Sequence, residues 1–174
     1  GQSAKPAKEI WLVDKAPVGV CGELVEIDAI SGLDFTTSAP LLDKYDTADT
    51  AKLAKITTVD DVVLENLRII ANNGVATSNP RVISALNCKR LRIKDVRIEG
   101  IKTFGVIVMG CWDTKIEGCT FTDDVGAGVA VFLGGASQWT TIRDCSFVRM
   151  DAGVTDTTAL SLSTVGLGPR RMVL

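Results

Sequence analysis

The sequence predicts an all-β chain wound as a right-handed, single-stranded parallel β-helix of about five to six turns. Three observations predict it. A six-residue unit, apolar-x-(Asn/Asp/Gly)-apolar-x-apolar, recurs five times, starting at residues 30, 64, 93, 116 and 142. A β-branched run precedes most copies by about a dozen residues. No helical 3.6-residue period of useful length competes with either signal.

The spacing inside the unit carries the argument. In a strand, side chains on one face fall at every second residue. Here the apolar positions are three apart and then two apart, so a bend consumes one residue between two strands. The bend residues are Gly32, Asn66, Asp95, Gly118 and Asp144, types that tolerate the left-handed backbone such a corner needs.

Taken in order, residues 1–18 read as an N-terminal linker or cap, with Ile10-Trp11-Leu12-Val13 as a short strand, and 19–174 as the β-helix. Ile30-Ser31-Gly32-Leu33-Asp34-Phe35 is the first copy of the unit. Residues 36–51 form an excursion whose Leu41-Leu42 is expected to pack on the side of the helix. Leu53–Thr57, Val82–Leu86, Gly105–Met109, Gly128–Phe132 and Ala159–Ser163 are expected as first strands of successive turns, with a turn cluster over Asn72–Pro80. The terminal stretch Gly168–Leu174 has no look of a capping helix, so a longer native chain or a covering partner is expected at that end.

Composition removes several classes of function. There is no histidine, which excludes Ser-His-Asp and Cys-His catalysis and His-ligated metals. The five cysteines include no C-x-x-C pair, so neither a zinc site nor a disulfide framework is expected. Cys119 with Cys145, and Cys88 with Cys111, are expected to stack inside as small buried hydrophobes. The net charge of −2 gives no reason to expect nucleic acid. No apolar run reaches the roughly 18 residues of a membrane span, and residues 1–5 show no signal-peptide core. No cofactor and no metal are expected.

The register also sorts the surface. Glu65, Lys94, Glu117 and Arg143 stack with alternating sign along one edge, as a structural ladder. Arg68, Arg92 and Arg97 lie on solvated faces. On the first-strand face Leu86, Ile107, Met109, Ala130 and Phe132 are expected to point outward, an apolar stripe that needs cover by a neighbouring subunit or forms a groove floor.

Acidic residues cluster in the loops after the third strand: Glu99, then Asp123 and Asp124, then Asp151 and Asp156. One turn of the helix separates neighbours by about 5 Å and two turns by about 10 Å. Those distances bracket the retaining and inverting geometries of paired-carboxylate glycosidases, so Glu99, Asp123, Asp124 and Asp151 are the candidate catalytic set. Trp112 and Trp139 are expected on the opposite rim, where indoles stack on sugar rings.

The stretch Gly105-Val106-Ile107-Val108-Met109-Gly110-Cys111-Trp112-Asp113-Thr114-Lys115-Ile116-Glu117-Gly118-Cys119-Thr120-Phe121 resembles the coil consensus of the pectate-lyase-like β-helix superfamily. That superfamily includes pectinases, polysaccharide lyases, epimerases and phage tailspikes, and the resemblance spans about residues 19–174. It implies a phage-tailspike-like β-helix, extracellular on a virion tail or else secreted. Such a chain would bind a bacterial surface polysaccharide as a homotrimer, and in its enzymatic form cleave it as a glycoside hydrolase or lyase. Two alternatives stand beside it: a non-catalytic structural or adhesive β-helix whose apolar stripe is an assembly surface, and a monomeric polysaccharide lyase. The superfamily's own motifs are incomplete here. Asp123-Asp124 resembles the paired aspartates of polygalacturonases, but their Gly-His-Gly segment is missing, and no calcium-binding set carries over residue by residue.

Overall fold

A computed structural model describes residues 9–15, 21–32, 34–42, 44–46, 48, 51–71, 81–122, 128–150 and 152–156. Two kinds of β-structure make it up: a small antiparallel sheet, and a parallel coil.

The antiparallel sheet holds β1 (Glu9–Lys15), β2 (Cys21–Ser31), β3 (Asp34–Thr37) and β4 (Lys52–Ile56), in the order β3-β2-β1-β4. Its side chains alternate. Ile10, Leu12, Leu24 and Ile56 face the coil and meet Trp112 and Ala136, while Trp11, Val13, Val25 and Ile27 pack with Tyr45 on the far face. A buried ion pair, Lys89 Nζ to Glu26 Oε1 at 2.8 Å, ties the sheet to the coil.

This sheet corrects three expectations. The unit at residues 30–35 is a hairpin, not a coil corner, because Ile30 pairs antiparallel with Phe35 and Ser31 with Asp34. Gly32 does adopt a φ of 61°, but a left-handed residue between apolar neighbours suits a tight hairpin as well as a bend. Leu53–Ile56 pairs antiparallel with β1 (Trp11 opposite Lys55), so it is no parallel strand. The 36–51 excursion serves this sheet rather than the helix side: the Leu42 amide donates to Glu23 Oε1 at 2.8 Å, and Leu41 and Leu42 are exposed.

The coil follows. Its first, partial turn is β5 (Val59–Asp60), β6 (Val63–Glu65) and β7 (Arg68–Ile70). Three complete coils come next: β8 (Arg81–Leu86), β9 (Cys88–Lys89), β10 (Arg92–Lys94) and β11 (Arg97–Glu99); then β12 (Phe104–Met109), β13 (Lys115–Glu117) and β14 (Thr120–Thr122); then β15 (Val129–Gly134), β16 (Thr141–Arg143) and β17 (Ser146–Val148). β18 (Ala152–Asp156) opens another. Three four-stranded parallel sheets result, β6-β10-β13-β16, β7-β11-β14-β17 and β8-β12-β15-β18. A narrow fourth ladder, β5-β9, continues through single bridges from Lys89 to Trp112 to Gln138.

The parallel β-helix is as expected, with fewer turns among the described residues than the five to six predicted. The strand continuing the first-strand sheet is Ala152–Asp156, paired with β15, rather than Ala159–Ser163, which lies outside the described residues. Asp156 is therefore a strand residue, opposite Leu133, and not a loop residue.

The core is one column of apolar side chains, among them Ile93, Ile98, Val106, Val108, Ile116, Phe121, Val131 and Leu133. Corners are made by stacked left-handed residues. Asn66, Asp95, Gly118 and Asp144 form one column, with φ between 52° and 64°, as their spacing predicts. Two more columns were not foreseen: Asp61, Arg90, Asp113 and Trp139, and Asn87, Gly110 and Gly135. The Cys88 amide donates to Cys111 Sγ at 3.4 Å, and Cys88, Cys111 and Cys119 are buried as expected, whereas Cys145 is only half-buried.

The apolar stripe differs from expectation. Val106 and Ala130 both belong to the core, and a Cβ built on Gly105 would lie 2.6 Å from the Ala130 carbonyl, so Gly105 faces inward beside Val106. Strand alternation breaks there, and Ala130 points inward instead of out. Ile107 and Phe132 do point outward, but both are fully buried within the single chain, in a cluster with Phe104, Met109 and Val129. Met109 and Leu86 line a cavity of about 240 Å³ with Leu12, Leu24 and Ile56 of the antiparallel sheet. Ile107, Ala130 and Phe132 are thus covered by their own chain, Met109 is half-buried, and Leu86 stays 51% exposed at the mouth of that cavity.

Candidate functional site

The narrow ladder between the first-strand sheet and the β6 sheet positions both tryptophans. Trp112 and Gln138 occupy neighbouring rungs of that ladder, and Trp139 follows Gln138 at the left-handed corner. The two indoles meet edge to face, centroids 6.4 Å apart and planes at 73°. Their environments are opposite. Trp112 is 8% exposed, roofed by Ile10 and Leu24 of the antiparallel sheet, whereas Trp139 is 42% exposed. Trp112 is thus a packing residue, and the expectation of two sugar-stacking indoles reduces to one.

Trp139 sits at φ 58°. A bulky side chain in that region carries a backbone cost of roughly 1–3 kcal/mol. Gly118 and Gly135 meet the same requirement in the neighbouring corner columns without that cost. One rung below Trp139, Asp113 occupies the same column. Its carboxylate receives Arg92 Nη2 at 2.7 Å and its carbonyl receives Arg92 Nη1 at 2.6 Å. On the next rung down, the Arg90 guanidinium binds Asp61, one rung lower still, through two hydrogen bonds of 2.5 and 2.7 Å and reaches Asp60 at 3.3 Å. Hydrogen bonding to Arg90 holds the Asp61 carboxyl below its usual range. The corner edge therefore presents one aromatic plane above a row of fixed charges and carboxylates, a surface suited to sugar hydroxyls and to the apolar face of a pyranose. Of these residues the sequence singles out Trp139, and it reads Arg92 only as a side chain on a solvated face; Asp113 is not picked out. Arg90 gives no signal there, since arginine is not a residue type that announces a left-handed corner.

The candidate acids fare differently. Glu99 lies at the end of β11, half-buried, between two arginines. Arg68 donates to it from Nε at 3.2 Å and from Nη2 at 2.8 Å, and Arg97 forms a second ion pair. These arginines are stacked in register on adjacent strands, and the Glu99 carboxylate offsets their repulsion. The hydrogen bonds from Arg68 push its pKa down, opposed in part by burial. Asp123, Asp124 and Asp151 lie outside the described residues. Glu99 is thus the only member of the candidate acid set that the described residues include, and among them no group of acids or thiols has the makings of a metal site. The expected charge ladder is present: Lys94 lies between Glu65 and Glu117 in register, and Arg143 Nε reaches Glu117 Oε1 at 3.0 Å. Among the described residues, no helix is long and apolar enough to cross a membrane.

Comparison with known proteins bears on the fold. Among solved structures, the tailspike protein gp49 from Pseudomonas phage LKA1 matches over 80% of this chain, at 17% identity and a TM-score of 0.44. The chain spans about a third (34%) of that tailspike's length. No curated protein matches. A family model described as "Right handed beta helix region" matches residues 54–165, from the last residues of β4 through the whole described coil, and the chain belongs to that family.

Proposed function

We propose that this β-helix binds a polysaccharide along the corner that carries Trp139, as a tailspike-like module that works outside the cell on a bacterial surface glycan. One observation carries the reading: Trp139 is exposed, braced edge-on by a buried Trp112, and kept at a backbone angle where glycine would be easier. Arg90 keeps the same angle in the same column and uses it to bind Asp61, and a ligand stack on the exposed indole would give Trp139 a comparable use. The neighbouring Arg92–Asp113 pair supplies polar partners on a rigid ladder.

The test is titration of a panel of bacterial surface polysaccharides, read by tryptophan fluorescence and by calorimetry, on wild type, Trp139→Ala and Trp139→Gly. Binding is expected to fall by about five- to 150-fold in both variants, an indole–sugar stack being worth about 1–3 kcal/mol by analogy with base stacking. Trp139→Gly should melt no lower than wild type, because it relieves the backbone. Unchanged affinity in Trp139→Gly would remove the corner from the proposal.

Cleavage is a separate step of the reading. Glu99, held anionic by its arginines, suits a base or nucleophile and not a general acid. The acid would have to come from Asp123, Asp124 or Asp151. Release of reducing ends or unsaturated products, lost in Asp124→Asn, would support the enzymatic form. The non-catalytic adhesive reading draws its support from the same clamp, since Glu99 already has a structural task between Arg68 and Arg97. A homotrimer is not part of the proposal, because Ile107, Ala130 and Phe132, the middle of the stripe meant to support it, are buried within one chain.

A further inference from the structure

Among the described residues, two pairs of basic side chains stack in register on the coil, and one of them carries its own counter-charge. Arg68 and Arg97 lie opposite each other on β7 and β11, and the Glu99 carboxylate binds both. Arg92 and Lys115 lie opposite each other on β10 and β13. Like charges at directly opposed positions repel. Arg92 is neutralised by Asp113, through Nη2 at 2.7 Å, whereas the Lys115 ammonium makes no ion pair or hydrogen bond among the described residues.

The acids beside Lys115 in its own turn are both taken. Asp113, two residues before it, is held by Arg92 from the rung below. Glu117, two residues after it, is held at 3.0 Å by Arg143 from the rung above. Thr114 and Ile116 are fully buried, so the alternation turns Lys115 outward, where it is half-buried. Its in-register neighbour on the rung above is Thr141, which is uncharged and stands two residues beyond Trp139. Along the backbone, Lys115 is therefore one strand spacing, about 4.8 Å, and two residues, about 6.6 Å, away from Trp139. An unpaired ammonium and an exposed aromatic plane share one stretch of the corner.

We infer that Lys115 binds a negatively charged substituent, a carboxylate or a phosphate, on the glycan at the Trp139 corner, so that the ligand is an acidic polysaccharide and not a neutral one. The inference rests on the glycan reading above and adds the charge of its ligand. A stack on Trp139 holds a sugar ring whatever its charge, and Lys115 beside it selects rings or linkages that carry an anion. The bound anion does for Arg92 and Lys115 what Glu99 does for Arg68 and Arg97.

Calorimetric titration with neutral, uronate-containing and phosphate-containing bacterial surface polysaccharides tests it, on wild type, Lys115→Gln, Lys115→Arg and Trp139→Gly. The tightest ligand is titrated again after chemical reduction of its carboxylates to alcohols, which leaves phosphates in place. An acidic glycan is expected to bind best. Lys115→Gln should weaken it about tenfold and flatten its salt dependence, while Lys115→Arg keeps both. Carboxyl reduction should cost wild type the same factor, and Lys115→Gln nothing, if the anion is a carboxylate; it should cost neither if the anion is a phosphate. Lys115→Gln should melt no lower than wild type, since it removes a like charge from beside Arg92. A neutral glycan as the tightest ligand overturns the inference, and so does an acidic one that binds Lys115→Gln as well as wild type. In both cases the corner reading stands if Trp139→Gly still loses affinity. Affinity untouched by Trp139→Gly, or no binding to any of these glycans, overturns both.

Discussion

In the antiparallel sheet, strands meet partners through two pairings of consecutive strands and one long return, and both faces bury small clusters of apolar side chains. In the coil, each strand meets the same position of the turn before and the turn after, as Ile116 meets Ile93 and Ile142. The coil's stability is a sum of many similar neighbour terms around one continuous core. The sheet instead hangs on a single patch, Ile10 and Leu24 against Trp112 and Ala136, and on the Lys89–Glu26 pair beside it. So the coil should give way gradually and locally, and the sheet should part from it as a unit.

The largest break in that comparison is expected at the tie itself. Lys89→Met leaves the Glu26 carboxylate buried without its cation, a loss of about 3–5 kcal/mol. Hydrogen exchange should accelerate across β1 and β2 while β10, β13 and β16 stay protected. Pairing the change with Glu26→Leu should restore most of the protection.

Two glycines sharpen the contrast next. At Gly105 a Cβ would press on the Ala130 carbonyl at 2.6 Å and on Ile101 Cδ1 at 3.0 Å, so Gly105→Ala should destabilise the coil by about 1–3 kcal/mol. At Gly32 nothing lies within 4 Å, and only its φ of 61° is at stake. Gly32→Ala should cost about 1 kcal/mol and act on the sheet alone. Urea melts of both variants compare the two costs.

Acid should soften both regions mildly. Glu9 of the sheet is held below its ordinary 4.5 by Lys55, and Glu99 of the coil below 4.5 by Arg68. Depressed carboxyl values in the folded state mean that this stability is whole above about pH 4.5 and is lost as pH falls through the lower, folded values. Thermal melts from pH 7 to pH 3 should therefore be flat down to about pH 5 and then decline. Both sites are exposed enough for salt to shrink the decline. Glu99→Gln should flatten the coil's part of it.

The smallest effect is chemical. Burial lifts the Cys111 thiol to about 12, whereas a hydrogen bond with the Cys119 thiol lowers Cys145 to about 7. Mass spectrometry after brief alkylation at pH 8 should find Cys145 labelled before Cys88, Cys111 and Cys119. Cys88, Cys111 and Cys119 should be untouched until the coil unfolds.

Most of the coil was legible because its signal is local and repeated. The three-then-two apolar spacing at residues 64, 93, 116 and 142 states both the strands and the corner between them. The copy at residue 30 carries the same local information, and only the presence of β1 as an antiparallel partner decides its fate, which no six-residue window contains. The stripe was misread for a related reason: Gly105 and Val106 face the same way, and a break in alternation looks like alternation when read from residue types. At the site, Trp139 was legible as an aromatic in a loop. Trp112 was not separable from it, because what roofs Trp112 is Ile10 and Leu24, far away in sequence. The clamp on Glu99 was half legible, since Arg68 and Arg97 were readable as outward residues but their convergence on one carboxylate depends on side-chain reach.

The three columns of left-handed corners mean that this chain counts its length in corners and not in residues. The four copies of the repeat from residue 64 onward begin 23 to 29 residues apart, yet they keep their rungs in step. The surplus is spent in the stretches that leave one corner and return at the next. Those stretches can lengthen, shorten or exchange sequence without shifting a single ladder, while each whole coil gained or lost changes the rod by one strand spacing, about 4.8 Å. A lineage built this way can revise its surface turn by turn and leave its core as it was.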